Sequence, residues 1–161
     1  MSLLRRVPAA VKAVPLPAGE RRTAWALTLE GEPVVATDRA LLLPGGVRLE
    51  WPLVEKATWQ PPQLTVVEVS DVEGEGTRHA VALQDPHEVP GEVRTRVTAS
   101  VAWSAHERLA PRGGVRVVGR RVPDQELFTW QLVYDRGTDR DDPLVRAQAE
   151  ALLEGAQRAI G

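Results

Sequence analysis

Between residues 22 and 83, short apolar runs alternate with turn-forming residues. The runs are rich in Val, Leu, Thr and Trp, which is typical of β-strands bounded by turns. In the break Pro44-Gly45-Gly46, glycine tolerates the positive φ that a type II turn requires. The pattern predicts seven strands, at residues 23–29, 33–37, 40–43, 47–51, 53–60, 63–69 and 77–83.

Alternation within these runs indicates strands that are buried on one face. Between residues 47 and 51, for example, apolar and charged side chains alternate. The same alternation assigns three tryptophans to the core, Trp25, Trp51 and Trp59. Seven half-buried strands leave few exposed edges when they close, or nearly close, on themselves. We therefore predict an α+β fold built on a small antiparallel β-barrel.

Residues 85–104 are ambiguous between helix and strand. Valines recur every four residues from Val89 to Val101, which fits a helix, but the later ones also share strand parity with Trp103. We expect a helix from about Pro90 to Ser100 that caps the barrel, followed by a strand through Trp103 to Leu109.

The C-terminal third predicts a β-hairpin and a helix. Residues 114–122 and 127–135 flank the turn sequence PDQE, and Asp142 with Pro143 begins a helix over 142–160. The apolar stripe of this helix is Val145, Ala149, Leu152, Ala156 and Ala159. We expect it to pack on hairpin side chains such as Trp130 and Leu132. The predicted units are an N-terminal segment (1–17), the barrel with its helix (18–104), and the hairpin with its helix (105–161).

Composition narrows the functional classes. The 161-residue chain has 43% hydrophobic and 26% charged residues and no cysteine, so it can form neither a disulfide nor a cysteine-based zinc site. It has no apolar run of membrane-spanning length and no signal-peptide pattern at its start, and we expect a cytoplasmic protein. The charge is uneven, because residues 93–122 carry +6 while residues 23–92 carry −8.

No catalytic or metal-binding pattern stands out. The three histidines lack metal-ligand spacing, and Ser100 and Ser104 lie outside a Gly-x-Ser-x-Gly motif. The acidic stretch 135–142 lacks the closing glutamate of a calcium loop. We therefore predict a protein that is not an enzyme and has no cofactor and no metal site.

The first half of the chain resembles a known family. The residues that carry the likeness are Gly19, Glu20, Thr37, Arg39, Leu41–Leu43, Trp51 and Trp59. They follow a pattern of a Gly-Glu entry, a strand ending in Thr before an Arg, a strand of leucines, a turn and a Trp-containing strand. In this the chain resembles small bacterial pleckstrin-homology-like and GRAM-type domain proteins, and in overall arrangement an uncharacterised actinobacterial family. The resemblance covers roughly residues 16–104 and does not extend to the hairpin and helix after residue 110.

The resemblance implies a binding module. Family members that bind phosphoinositides carry basic residues in and around the first hairpin loop, whereas this loop is Glu30-Gly31-Glu32. Because carboxylates repel an inositol phosphate, we expect no phosphoinositide binding. The main expectation is a protein–protein interaction, with another protein as the partner, through a strand edge or groove near the C-terminal hairpin.

The hairpin supplies the candidate binding residues, which are Arg116, Arg120, Arg121 and Trp130. Strand parity puts Arg116 and Arg120 on one face of the first strand, and the aromatic residues on one face of the second. Arginines beside flat aromatic rings could bind nucleic acid, RNA above all, which is the alternative function. In the simpler interpretation, the C-terminal helix covers the aromatic face and the arginine face stays open to solvent.

Overall fold

The structure, a computed structural model, describes residues 5–160, and it is mixed α+β with three antiparallel sheets. The helices are α1 (Ala9–Lys12), α2 (Val89–Ser100) and α3 (Pro143–Ile160), and a 3-10 turn spans Trp51–Leu53. The strands are β1 (Arg22–Leu27), β2 (Pro33–Thr37), β3 (Ala40–Leu43), β4 (Val47–Glu50), β5 (Val54–Gln60), β6 (Gln63–Glu68), β7 (Arg78–Ala82), β8 (Val101–Arg108), β9 (Gly114–Arg121) and β10 (Phe128–Tyr134).

The seven strands predicted for the first half are present, each within two residues of its expected ends. They form a four-stranded sheet, β1-β2-β3-β4, and a three-stranded sheet, β5-β6-β7. The turn chemistry accounts for this accuracy, since Gly45 and Gly46 both adopt the positive φ that ends β3 and starts β4. Turn residues thus set the strand boundaries.

The two sheets meet at one corner. Backbone hydrogen bonds join the end of β1 to the end of β7, from Leu29 N to Ala82 O (3.0 Å) and from Gln84 N to Leu27 O (2.9 Å). At the opposite corner the chain passes from β4 to β5 through the 3-10 turn, and these strands are not paired in residues 5–160. Pro52 in that turn has no N–H to donate to a ladder. The described residues therefore form no closed barrel, and the prediction of a closed or nearly closed barrel is not confirmed.

Helix α2 packs against both sheets. Its buried residues Val89, Val93 and Val97 join the main core, which also contains Leu41, Leu64 and other residues of both sheets. The prediction of a helix to Ser100 followed by a strand is confirmed, because β8 begins at Val101.

One tryptophan prediction was wrong. Trp51 is buried in the core and Trp59 packs against it, but Trp25 lies on the outer face of β1. The small residues Ala24 and Ala26 face the core instead. Arg5 from the N-terminal segment covers the Trp25 ring, with its guanidinium carbon 3.7 Å from the ring centroid.

The C-terminal sheet has the order β10-β9-β8, so the strand after α2 joins the predicted hairpin as a third strand. Helix α3 starts as predicted, with the Asp142 side chain accepting a hydrogen bond from Leu144 N (2.9 Å). It buries Val145 and Ala149 against the sheet, where Leu132 packs on the same cluster.

Loop contacts dock the C-terminal sheet on the three-stranded sheet. Tyr134 N donates to Asp71 O (2.7 Å), and Glu73 N donates to Tyr134 O (3.0 Å). A further contact reaches the four-stranded sheet, where Nε of Arg39, in the β2–β3 turn, donates to Asp124 Oδ2 at 2.9 Å. These contacts leave a cleft between β5 and the inner face of the C-terminal sheet.

Of the helices in the described residues, none combines the length and apolarity needed to cross a bilayer.

Candidate functional site

Glu20, Thr37, Arg48 and Trp51 meet in a buried polar corner. The Glu20 side chain is 0% exposed, and its carboxylate accepts hydrogen bonds from Arg48 Nη1 (3.1 Å) and Nη2 (2.9 Å). Thr37 Oγ1 donates to Glu20 Oε1 at 2.7 Å, and Trp51 Nε1 donates to Thr37 O at 3.0 Å. The corner's polar groups are satisfied internally, so it organises the fold and offers no open site.

The pKa of Glu20 reflects this environment. Burial alone would raise the pKa, but hydrogen bonds from Arg48 and Thr37 and the positive charge of Arg48 lower it by more. The net effect is a pKa below the ordinary value of 4.5. Glu20 is therefore an ionised structural group at neutral pH.

The register of the C-terminal sheet divides the four predicted binding residues into two pairs. Trp130 lies opposite Gly119, and Val133 lies opposite Arg116. Directly opposed residues share a face, and successive residues of a strand alternate faces. Arg116 and Arg120 therefore lie on the inner face, and Arg121 and Trp130 on the outer face. Strand parity correctly grouped the residues that share a face within each strand. Across the two strands, however, the arginine pair and the aromatic residues lie on opposite faces of the sheet.

The inner face forms one wall of the cleft, which encloses a cavity of 370 Å³. The expectation that the arginine face is open to solvent was wrong for Arg120, which is only 7% exposed. Burial lowers the pKa of Arg120, and the charge of Glu55 opposes this only in part. Arg116 is exposed, and its Nη1 donates to Ser104 Oγ at 3.0 Å.

His106 and Asp135 form a pair at one end of the cleft. Their Nε2 and Oδ2 atoms are 2.8 Å apart. A Cβ at Gly114 would come within 3 Å of both side chains, so the pair requires glycine there. Ser104 is hydrogen-bonded to Arg116 and not to His106. Ser104, His106 and Asp135 therefore do not form a nucleophile–base–acid chain in the structure.

The outer face is only partly covered by α3. Val115, Leu132 and Tyr134 pack beneath the helix, whereas at the other end of the sheet Phe128 is 39% exposed. The Phe128 and Trp130 rings meet edge to face with centroids 6.4 Å apart. The expectation that α3 covers the aromatic face holds for one end of the sheet.

Trp103 extends this surface onto β8. It lies opposite Gly119, as Trp130 does from the other side, so a glycine separates two tryptophans in one row. A Cβ at Gly119 would come within about 3 Å of the Trp130 ring. Trp103 is 37% exposed and borders a groove of 270 Å³ between β8 and α3. The other lining residues are mostly small or apolar: Ala105, Glu107, Val117, Ala151, Leu152, Gly155, Ala156 and Ala159.

The backbone of β8 forms the open edge of the C-terminal sheet. Within residues 5–160 its only strand partner is β9. Leu109 N donates to Gly113 O (3.0 Å), which fixes the alternation of the antiparallel ladder. Counting back from Leu109, the N–H groups of Ser104, His106 and Arg108 point away from β9. At eight residues, β8 offers a longer free edge than the four-residue β4.

The remaining arginines of the basic segment are dispersed. Arg96 pairs with Glu92 along α2 at 2.7 Å. Arg121 Nη1 donates to the carbonyl groups of Ala99 (3.3 Å) and Val101 (3.4 Å) at the α2–β8 junction. Several of the charges that make this segment basic are thus committed to internal contacts.

Sequence reasoning missed the groove beside Trp103. Two signals were available: Trp103 shares strand parity with Ala105, and Ala151, Gly155 and Ala159 recur every four residues on α3. Small residues at that spacing leave space along one helix face. The position of that helix face beside β8 could not be predicted from the sequence.

A larger groove of 630 Å³ lies between the N-terminal segment and the β3–β4 turn. It is lined by prolines and by the turn glycines, with no aromatic side chain.

No group of three or more His, Cys, Asp or Glu side chains positioned to hold a metal ion occurs between residues 5 and 160. Comparison of the chain with known protein families, curated proteins and solved structures found no match.

Proposed function

We propose that the protein is a non-enzymatic, pleckstrin-homology-like module that binds an extended segment of another protein. The segment adds to the free edge of β8, and an apolar side chain of the segment enters the groove beside Trp103. The single observation that carries this proposal is the exposed Trp103, which sits on an eight-residue edge strand and lines an apolar groove.

Strand addition suits this geometry. The three outward N–H groups of β8 give main-chain affinity for any extended peptide, and a pocket beside alternate positions adds selectivity. Exposed tryptophans are enriched among the residues that dominate binding energy at protein interfaces. The groove has a volume of 270 Å³ and Glu107 as a charged residue at its rim. We infer that the partner segment carries an apolar or aromatic side chain flanked by a basic residue.

The arrangement of the first half supports the pleckstrin-homology-like part of the proposal. Two antiparallel sheets of four and three strands are packed around a helix that follows the seventh strand. This is the element order of that domain, although β4 and β5 remain unpaired. In this proposal the N-terminal unit is a platform, and the C-terminal sheet and α3 supply the binding surface. The chain contains no cysteine, in keeping with the predicted cytoplasmic location.

Nucleic-acid binding, the alternative predicted from the basic segment, has less support. A sheet that stacks bases needs aromatic rings and cations on one face. Here Arg116 and Arg120 lie on the face opposite Trp130, and Arg121 is hydrogen-bonded to backbone carbonyls. Binding of a single-stranded RNA that weakens steeply between two salt concentrations would favour this alternative over the peptide.

The test is a selection of linear peptides from a random display library against the full chain. Enriched peptides are then titrated against wild type, Trp103→Ala and Leu53→Ala by fluorescence anisotropy. Leu53 is the matched control, because it is an apolar residue that is 51% exposed on the N-terminal half. We expect Trp103→Ala to weaken binding by about tenfold or more, as the loss of a central aromatic anchor does.

Two outcomes would contradict the proposal. In one, no enriched peptide binds saturably. In the other, Trp103→Ala and Leu53→Ala bind the enriched peptides equally well, which would place the site away from β8. Thermal melts of both variants establish that any loss of binding is not a loss of fold.

A further inference from the structure

Arg120 is a buried cation without a counterion in contact. It is 7% exposed, and its Nη1 donates to Ser100 Oγ at 3.1 Å. Its Nε has no hydrogen-bond partner, and Arg120 forms no salt bridge within residues 5–160. Burying a charged group is unfavourable unless it is paired and hydrogen-bonded, so this arrangement carries a free-energy cost. An anion beside the guanidinium would offset the part of this cost that comes from the unpaired charge.

The cavity that Arg120 lines is suited to an amphiphilic ligand. Its volume of 370 Å³ is within the size range of small-molecule sites, which is about 300–1,000 Å³. Val101, Val118 and Val133 provide an apolar wall, and Arg116 adds a second guanidinium. The same sheet face thus supplies both the guanidinium groups and the apolar surface, while Glu55, Lys56 and Glu73 line the cavity from other elements.

Two of the three acids that line the cavity, Glu55 and Asp135, are already engaged elsewhere. Asp135 pairs with His106, and both oxygens of Glu55 lie 3.3 Å from the N–H of Gly74, which donates to them. Glu55 therefore acts on Arg120 only from a distance, beyond the 4.0 Å of a salt bridge. The cleft holds a cation that its own carboxylates leave without direct contact.

We propose that this cleft binds a small organic monocarboxylate, with its carboxylate on the guanidinium of Arg120 and its apolar part against the valine wall. A carboxylate matches the planar guanidinium and carries a single charge. A phosphate dianion fits less well, because the carboxylates of Glu55, Glu73 and Asp135 also line the cavity. They balance the positive charges of Lys56, Arg116 and Arg120, so a second negative charge on the ligand gains little. The site is independent of the β8 groove, since the two lie on opposite faces of the C-terminal sheet.

The experiment uses the full chain and three probes: hexanoate, its neutral analogue hexanamide, and inorganic phosphate. A ligand that binds the native state raises Tm in a concentration-dependent manner. We expect a saturable increase with hexanoate and none with hexanamide or phosphate at the same concentrations. Calorimetric titration gives the Kd. An absent hexanoate effect, an equal hexanamide effect, or binding of phosphate alone would overturn the proposal.

Two variants assign the site. Arg120→Met removes the charge at similar length and should abolish hexanoate binding, whereas Arg112→Met changes an exposed arginine outside the cavity and should leave it intact. Glu55→Gln should tighten binding by about threefold to tenfold, because it removes a competing negative charge.

Retained binding in Arg120→Met, or unchanged or weaker binding in Glu55→Gln, would place the carboxylate elsewhere. The Glu55 variant decides the matter if Arg120→Met does not fold. Trp103→Ala should bind hexanoate normally whatever its effect on peptides, which separates this site from the proposed function.

Discussion

Replacing Thr37 by valine tests whether the polar corner organises the fold. Thr37 is fully buried, and its hydroxyl accepts hydrogen bonds from Arg39 N (3.0 Å) and Ala40 N (2.9 Å) while donating to Glu20. Valine has the same shape without the hydroxyl, so these three groups lose a partner. Each buried polar group left unpaired costs about 1–3 kcal/mol. Because the Arg39 N–H is only partly buried and Glu20 keeps Arg48, we expect a loss of about 2–4 kcal/mol.

Thr37→Ser is the matched control, since it keeps the hydroxyl and loses one methyl group, at a cost of about 1 kcal/mol. The free energy of unfolding is measured by urea denaturation with tryptophan fluorescence, to which all five tryptophans contribute, including Trp51 beside the corner. The midpoint should fall for valine with an unchanged m-value. A valine variant as stable as the serine variant would refute the structural role of the corner.

Three further predictions follow from the same structure. Because the pKa of Glu20 is lowered in the folded state, ionised Glu20 stabilises the fold above about pH 4.5, and this stabilisation is lost as pH falls through the folded-state pKa. Glu20→Gln should therefore flatten the dependence of the free energy of unfolding on pH in this range, as measured by urea denaturation at each pH. Val145→Ala should lower the free energy of unfolding by about 2–3 kcal/mol, because Val145 is buried. Leu152→Ala should lower it by about 1–2 kcal/mol, less than is usual for a core leucine, because Leu152 is only partly buried. Thermal and urea denaturation of both variants measures the two losses. Liposomes containing phosphoinositides should not retain the protein in sedimentation assays, because Glu30 and Glu32 occupy the β1–β2 loop, and headgroup-specific micromolar binding would contradict this.

The strands of the first half were predictable because local chemistry determines them. Proline or glycine lies in most of the breaks between the runs, and the positive φ of Gly31 and Gly45 follows directly from the turn sequences. The start of α3 was equally local, because Asp142 and Pro143 define it. These features depend on residues that are neighbours in sequence.

Features that depend on which elements meet in space were harder to predict. Alternation in β1 gave two faces, but only packing showed that the small residues Ala24 and Ala26 face the core while Trp25 is covered by Arg5. In the same way, parity described each strand of the hairpin, and the faces of the sheet followed only from the β9–β10 register.

The candidate site depends most on such long-range placement. The addition of β8 to the hairpin turned a two-stranded ribbon into a sheet with an open edge, and it brought Trp103 beside α3. It also enclosed Arg120 in the cleft. Neither surface is encoded in one segment of the chain, so a pass along the sequence could name the arginines and Trp130 but could not assemble them.

Residue-resolved amide hydrogen exchange of β8 tests the central claim most directly. In the free protein, the N–H groups of Ala105 and Glu107, which point toward β9, should exchange slowly, and those of Ser104 and His106 should exchange fast. Addition of a peptide enriched on the full chain should slow exchange at Ser104 and His106, because the bound strand completes the ladder. If a bound peptide leaves both amides fast and protects residues of another element instead, the β8 edge is not the binding site.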